Sequence, residues 1–136
     1  MLGVDEGMTT PTQRTLAWLR DELGAQAAVV EKWNPHARIR QDLFGCIDIV
    51  ATANKIIGVQ ACAAASHSAR VKKSLAEPQL VGWLKAGGHF WVMSWGKRGA
   101  RGKVKRWTHR TTVFVLLDGL PFARETLEQQ HTETSK

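Results

Sequence analysis

The sequence predicts an α/β fold in which helices flank a small mixed β-sheet. Three observations predict it: an amphipathic helix begins soon after the N-terminus, a β-hairpin pattern follows near the middle, and further helical and strand patterns come after it. The predicted order is helix, three strands, helix and two strands. With 136 residues and 43% apolar content, the chain is long enough for one domain with a substantial core.

Residues 1–9 lack periodicity and are expected to form a flexible leader. The domain is then expected to span 10–120, and 121–136 to form a C-terminal tail with a short helix from Arg124.

The first helix begins at Thr10, a favourable N-cap residue. Pro11 occupies the first helical position and Gln13 follows the cap by three residues, which is the spacing of a capping box. Leucines then recur on one helical face until Gly24 ends the helix.

The strands are predicted from β-branched and aromatic content. The first strand covers 27–33 and ends at an Asn-Pro turn. Two β-rich runs, 42–52 and 56–62, flank the three-residue segment 53–55, which is the spacing of a β-hairpin.

The second half of the chain repeats the pattern. A helix is predicted over 63–76 and a further helical stretch through 80–84. The aromatic run 89–95 predicts a strand, the glycine-rich segment 96–102 a loop, and 103–117 another strand.

Asp48 and Gln60 are the strongest candidates for a functional site. Because side chains alternate between the faces of a strand, an acid in the first hairpin strand and a polar oxygen late in the second can lie side by side. Mg²⁺ is typically held by one or two such oxygens together with substrate phosphate.

This layout resembles the PD-(D/E)XK nuclease superfamily, particularly its Holliday-junction-resolvase-like and VRR-NUC-like members, over roughly residues 12 to 115. Asp48 matches the family's first acid, Gln60 the Gln variant of the second ligand, and Cys62 stands where a lysine is expected. The resemblance implies a restriction-endonuclease-like αβββαβ core, Mg²⁺ or Mn²⁺ as the cofactor, and metal-dependent phosphodiester cleavage. It also implies a homodimer that acts on branched DNA.

The resemblance further implies that an acid from the first helix or strand completes the metal site, and Glu31 is placed to do so. Asp42 could contribute as well, although its Asp-Leu-Phe-Gly segment is equally typical of a turn. Lys72, and alternatively Lys73 or Lys55, could supply the missing positive charge, since catalysis needs only a cation near the attacking water.

Each of these residues also has a plainer interpretation. An acid among apolar neighbours costs several kcal/mol unless it is paired, and Asp48 could pair with Arg38, Arg40 or a backbone amide. Gln60 could simply form a hydrogen bond across the hairpin. His67 could transfer protons, but a lone histidine is more often exposed.

Charge distribution provides the clearest binding signal. The net charge is +7, and Glu77 is the only acid between Asp48 and Asp118. A one-sided positive surface suits a polyanion. The expected nucleic-acid contacts are basic residues of the second helix and of the glycine-rich segment with its flanks, together with one tryptophan: Arg70, Lys73, Lys97, Arg98, Arg101, Lys103, Lys105, Arg106, Trp107 and Arg110.

The sequence therefore favours a DNA-binding, structure-directed endonuclease. Two alternatives remain open: a catalytically inactive DNA-binding protein on the same fold, and a protein-binding accessory or inhibitor factor. Cys46 and Cys62 lack zinc-type spacing, so buried, reduced thiols in a cytoplasmic protein are expected. No apolar run reaches the length of a membrane span.

Overall fold

The computed structural model describes residues 9–126. It contains three helices: α1 (Pro11–Asp21), α2 (His67–Leu75) and α3 (Pro78–Lys85). The eight strands are β1 (Gln26–Val29), β2 (Lys32–Asn34), β3 (Ile39–Gln41), β4 (Ile49–Thr52), β5 (Ile56–Ala63), β6 (His89–Arg98), β7 (Arg106–Leu117) and β8 (Leu120–Glu125). None of the helices within residues 9–126 combines the length and the hydrophobicity needed to cross a membrane.

Helix α1 begins as the sequence predicts. The side chain of Thr10 accepts the backbone N–H of Gln13 at 3.1 Å, and the side chain of Gln13 accepts the backbone N–H of Thr10 at 2.8 Å. The predicted capping box is therefore confirmed. Gly24 follows the helix with φ +70°, a conformation that glycine adopts without strain.

Six strands form one mixed sheet in the order β1-β4-β5-β6-β7-β8, and β2 and β3 form a separate two-stranded sheet. Neighbouring strands of the large sheet are antiparallel except β5 and β6, which are parallel because α2 and α3 carry the chain back between them. Without the β2–β3 insertion, the element order through β6 is αβββααβ, with both α2 and α3 between the parallel strands. The predicted fold class, a small mixed sheet flanked by helices, is confirmed.

The sheet carries a buried core on each face. Strand β5 illustrates the division, since its side chains alternate. Val59 and Ala61 pack in the core on the α1 side, whereas Cys62 packs with Leu80 of α3 and Phe90 in the core on the opposite side. We call this opposite side the α2 face. Gln60 shares it with Cys62, because the two positions are two residues apart on one strand.

The structure corrects several predicted boundaries. The strand predicted over 27–33 is divided into β1 and β2, which belong to different sheets. The strand predicted from 103 begins at Arg106, and β6 extends to Arg98, so the loop lies three residues later than predicted, at 99–105. Arg124 lies in β8, paired with Val113, and does not begin a helix. The sheet thus continues past residue 120, while 1–8 of the leader and 127–136 of the tail lie outside the described residues.

Candidate metal centre and adjoining basic surface

Asp48 and Gln60 lie side by side at the start of the β4–β5 pairing. The N–H of Asp48 donates to the carbonyl of Val59 at 3.0 Å, which continues the ladder by one step. The side-chain nitrogen Nε2 of Gln60 donates to Oδ2 of Asp48 at 3.2 Å. The prediction that both side chains occupy one face is confirmed.

Two further carboxylates approach Asp48. The N–H of Val30 donates to the Asp48 carbonyl at 2.9 Å, so the chain leaving β1 brings Glu31 next to it. Asp42 arrives from the turn that precedes β4. Carboxylate oxygens of Glu31, Asp42 and Asp48 all lie within 4.8 Å of one another. The structure thus places both Glu31 and Asp42 at the site, and the turn interpretation of Asp42 is also correct.

The turn that carries Asp42 has an unusual backbone. The N–H of Gly45 donates to the Asp42 carbonyl at 3.2 Å, and Leu43 forms an isolated bridge with Ile47. Phe44 and Gly45 have φ values of 53° and 78°. A Cβ at Gly45 would overlap the carboxylate of Glu77, which caps α3 by accepting the Gln79 N–H at 3.1 Å, and the φ of 78° also favours glycine at this position.

The site brings three carboxylates together, of which Asp48 is buried and Glu31 and Asp42 are partly buried. Asp48 is 5% exposed. Burial and then repulsion by Asp42 and Glu31 raise the pKa of Asp48 to about 7, against hydrogen bonds from the Ala61 N–H and from Gln60 that lower it. The ionised cluster is therefore unfavourable by itself, and a cation bound among the three carboxylates would relieve both the burial cost and the repulsion.

The amide of Gln60 is turned with its nitrogen toward the acids. Its Nε2 donates to Asp42 at 3.0 Å as well as to Asp48, while its oxygen accepts a hydrogen bond from Arg70 at 3.3 Å. The oxygens facing the centre therefore come from the three carboxylates. Gln60 would become a metal ligand only after its amide rotated.

The position of the missing lysine is enclosed by apolar side chains. Cys62 is 4% exposed and packs with Leu80, Phe90 and Val92. Burial raises the pKa of the Cys62 thiol to about 11, so it stays neutral. Cys46 is also buried and free, with its thiol pKa raised to about 12 by burial first, which confirms the prediction of buried, reduced thiols.

Positive charge reaches the site from Arg40 of β3, which contacts Glu31 at 3.3 Å, and from α2, but not from Lys72. Arg70 contacts Gln60, and Lys73 lines a cavity together with Asp42. Lys72 lines a different cavity, beside Glu125. Residues three apart share a helical face and residues two apart do not, so one helix directs Arg70 and Lys73 toward the acids and Lys72 away from them.

His67 is buried rather than exposed, which corrects the prediction from the sequence. Its two ring nitrogens contact the hydroxyls of Ser94 at 2.6 Å and Thr112 at 2.8 Å. Burial and then repulsion by Arg110 lower the pKa of His67 to about 4, so the ring is neutral near pH 7. His67 therefore connects α2 to β6 and β7 through these two hydrogen bonds. Ser94 and Thr112 lie far from His67 along the chain, so the sequence around His67 does not predict them as its partners.

The basic hairpin formed by 96–110 extends the sheet beyond the acids. Strands β5 and β6 are parallel and run toward the same end, and β6 continues past the end of β5. Arg98 and Arg106 are paired neighbours whose register places them on the α2 face with Asp48 and Gln60. The loop cations are all exposed: Arg101, Lys103 and Lys105.

Other members of the hairpin are engaged within the protein. Lys97 and Trp107 pair on the opposite face, where the guanidinium of Arg14 stacks 3.6 Å from the Trp107 ring centroid. Arg110 forms a bidentate contact with Glu125 at 2.9 and 3.0 Å. The predicted stacking role of Trp107 is therefore restricted by Arg14, and the charge of Arg110 is already paired.

Comparison of the chain with protein-family models, with characterised proteins and with solved structures gives no significant match.

Proposed function

We propose that the protein binds nucleic acid and cleaves phosphodiester bonds with the help of a divalent metal ion, with DNA as the preferred substrate. One observation carries the proposal. The carboxylates of Glu31, Asp42 and Asp48 converge at the same end, and on the same face, of the sheet as the basic residues Arg98 and Arg106. Six residues of β6, about 20 Å, separate Arg98 from Val92, the neighbour of Gln60, so a polyanion that extends along the α2 face from the basic hairpin would reach the acids.

The donor set fits a hard cation. Mg²⁺ and Mn²⁺ prefer carboxylate oxygens, and three carboxylates supply more negative charge than the one or two that usually hold Mg²⁺. A bound metal ion would polarise the phosphate and lower the pKa of an attacking water. Asp48, Asp42 and Glu31 would hold it, and Gln60 would join them only by rotating its amide.

The protein's own residues would orient the substrate. Arg70 lies beside Gln60 and can contact a phosphate oxygen next to the acids. Its positive charge could then stabilise the transition state in place of the lysine that the resemblance expects at Cys62. Arg98, Arg101, Lys103, Lys105 and Arg106 would bind flanking phosphates, and such contacts fix position without reading sequence.

A second candidate, a binding protein without cleavage activity, is supported by a specific observation. The Gln60 amide nitrogen donates to both Asp42 and Asp48, so a neutral group already joins two of the acids. In addition, the thiol of Cys62 provides no positive charge where the resemblance expects a lysine.

A cleavage assay distinguishes the two candidates. Branched and partly single-stranded DNA would be incubated with the protein in Mg²⁺, in Mn²⁺ and in a chelator. Asp48→Asn removes a metal ligand with little change in shape, and Asp118→Asn, in the exposed turn before β8, provides the matched control.

We expect cleavage in Mg²⁺ or Mn²⁺ by the wild type and by Asp118→Asn, and none by folded Asp48→Asn. Salt-sensitive binding without cleavage in either metal would support the second candidate. Absence of any binding to DNA would overturn both.

A further inference from the structure

The turn before β4 forms one wall of a cavity that adjoins the acid cluster. The cavity has a volume of about 440 Å³ and is lined by Arg40, Gln41, Asp42, Phe44, Gly45, Lys73 and Gln79. Asp42 belongs to both the cavity and the acid cluster, so the two adjoin through one carboxylate.

Phe44 is the unexpected member of this wall. It is 42% exposed, and its backbone lies in the left-handed region with φ 53°. A bulky side chain in that region is a genuine outlier, and strained residues of this kind cluster at functional sites. The ring is only partly covered, so backbone preference disfavours a phenylalanine here and packing compensates for this only in part.

The ring is nevertheless held in position. It contacts Trp83 at 6.1 Å between centroids, in a tilted arrangement. The close approach of Gly45 to Glu77 fixes the turn against the first residues of α3. Phe44 therefore presents a positioned aromatic surface to the cavity, which is what stacking on a planar ligand requires.

The remaining walls are polar and partly cationic. Arg40 and Lys73 bring positive charge, and the side chain of Arg40 is 67% exposed even though it contacts Glu31 at 3.3 Å. The oxygen of Gln41 accepts from Asn34 at 3.1 Å and the amide nitrogen of Gln79 donates to Glu77 at 3.5 Å, so the Gln41 nitrogen can donate to a ligand and the Gln79 oxygen can accept from one. An aromatic platform, two cations and two amides match the base, the phosphate and the base edge of a nucleotide.

We propose that this cavity binds one unpaired nucleotide of a DNA strand, with its base stacked on Phe44 and its phosphate between Arg40 and Lys73. The next phosphate along the strand then lies at the acid cluster, because Asp42 joins the two. The inference rests on the proposed function and specifies its substrate: strands with unpaired nucleotides, such as flaps, branches and single-stranded ends, rather than uniform duplex.

The test measures binding in metal-free buffer containing a chelator, so it does not depend on cleavage. A short DNA strand carrying one 2-aminopurine reports stacking through its fluorescence, and the same sequence as a duplex is the reference ligand. Phe44→Gly removes the ring and suits the left-handed backbone, Phe44→Trp keeps an aromatic surface, and Phe122→Ala removes another exposed phenylalanine on β8.

We expect Phe44→Gly to weaken single-strand binding by about 5- to 100-fold, the effect of losing one base–aromatic stack. Its duplex binding should not change, and its melting temperature should equal or exceed that of the wild type. Phe44→Trp and Phe122→Ala should bind as the wild type does.

Unchanged single-strand affinity in Phe44→Gly, or an equal loss for duplex, would overturn the nucleotide site. Failure of this proposal is distinguishable from failure of the cleavage proposal. Metal-dependent cleavage with Phe44-independent binding would remove only the nucleotide site, and Phe44-dependent binding without cleavage would remove only the nuclease activity.

Discussion

The guanidinium of Arg70 donates to the side-chain oxygen of Gln60 at 3.3 Å and thereby orients the amide. With its oxygen engaged, the amide directs its nitrogen to Asp48 and Asp42. One contact between α2 and β5 thus determines which atom of Gln60 faces the acids, and it places a positive charge beside them.

Arg70 should be needed for cleavage. Arg70→Ala removes the charge that is available to stabilise the transition state, and loss of one such group typically costs about 100-fold in rate. Arg70→Lys should retain most of the activity. Lys72→Ala, on the same helix but facing another cavity, is the control and should cleave normally. Wild-type rates in Arg70→Ala would exclude this role.

Asp48 should make stability depend on pH. Its pKa is about 7 in the folded protein against 3.8 ordinarily, so the folded state retains a proton that the unfolded state loses as pH rises from about 4 to 7. The Asp48 contribution therefore becomes progressively unfavourable across that window and constant above it. A shift of this size corresponds to about 4 kcal/mol at most.

Asp48→Asn removes this titration. In metal-free urea unfolding, the variant should gain stability relative to the wild type as pH rises from 4 to 7, with no further gain at pH 8. Asp118→Asn should show a flat difference across the same range. A flat difference for Asp48→Asn would mean that the carboxylate is ionised in the folded protein at all these pH values.

Gln60→Glu should convert the centre into a stronger metal site. A fourth carboxylate increases the attraction for a divalent cation but adds repulsion when no cation is bound. We expect the variant to bind Mn²⁺ about tenfold more tightly than the wild type, the effect of roughly 1.4 kcal/mol, and to melt at a lower temperature in a chelator at pH 8.

Calorimetric titration with Mn²⁺ measures the affinity, and Gln26→Glu on the exposed end of β1 provides the same charge change far from the acids. Equal effects of the two substitutions would show that only the net charge matters.

The basic hairpin should bind DNA in a salt-dependent manner. Replacing Arg98, Arg101 and Lys103 together by alanine should weaken binding to all sequences alike. It should also reduce the slope of log K against log salt by up to about 3, because roughly 0.9 counterion is released for each phosphate contact. Anisotropy titrations at several salt concentrations measure both quantities. The matched control replaces Lys55, Lys85 and Arg124, which lie elsewhere on the surface, and should leave the slope largely unchanged.

The sequence predicted the hairpin turn at 53–55 and its second strand, but the first strand, predicted over 42–52, is shortened to Ile49–Thr52 because 44–46 form a turn. Two β-rich runs that flank the short turn at 53–55 predict an antiparallel hairpin. Its register places Asp48 and Gln60 side by side, as the pairing of Ile49 with Val59 shows. The capping box of α1 was predicted for the same reason, since it depends only on residues within one turn of helix.

Features that depend on distant partners were not predictable in the same way. The choice between Arg70 and Lys72 depends on how α2 is rotated over the sheet, and His67 sets that rotation through Ser94 and Thr112. The position of Asp42 depends on the left-handed backbone at Phe44, which the residue type disfavours. The segment after residue 120 was expected to be a tail. It forms strand β8 instead, which pairs with the outer edge of β7 from Leu117 back to Thr112.

Asp42 borders both the acid cluster and the nucleotide-sized cavity, and this sharing would couple two ligands thermodynamically. A cation at the cluster would neutralise the one carboxylate that faces the cavity and so remove its repulsion of a phosphate. Metal and strand would then each raise the affinity for the other by the same factor. Weak metal binding in the absence of nucleic acid would be a consequence of that reciprocity, and the complete site would assemble only around its substrate.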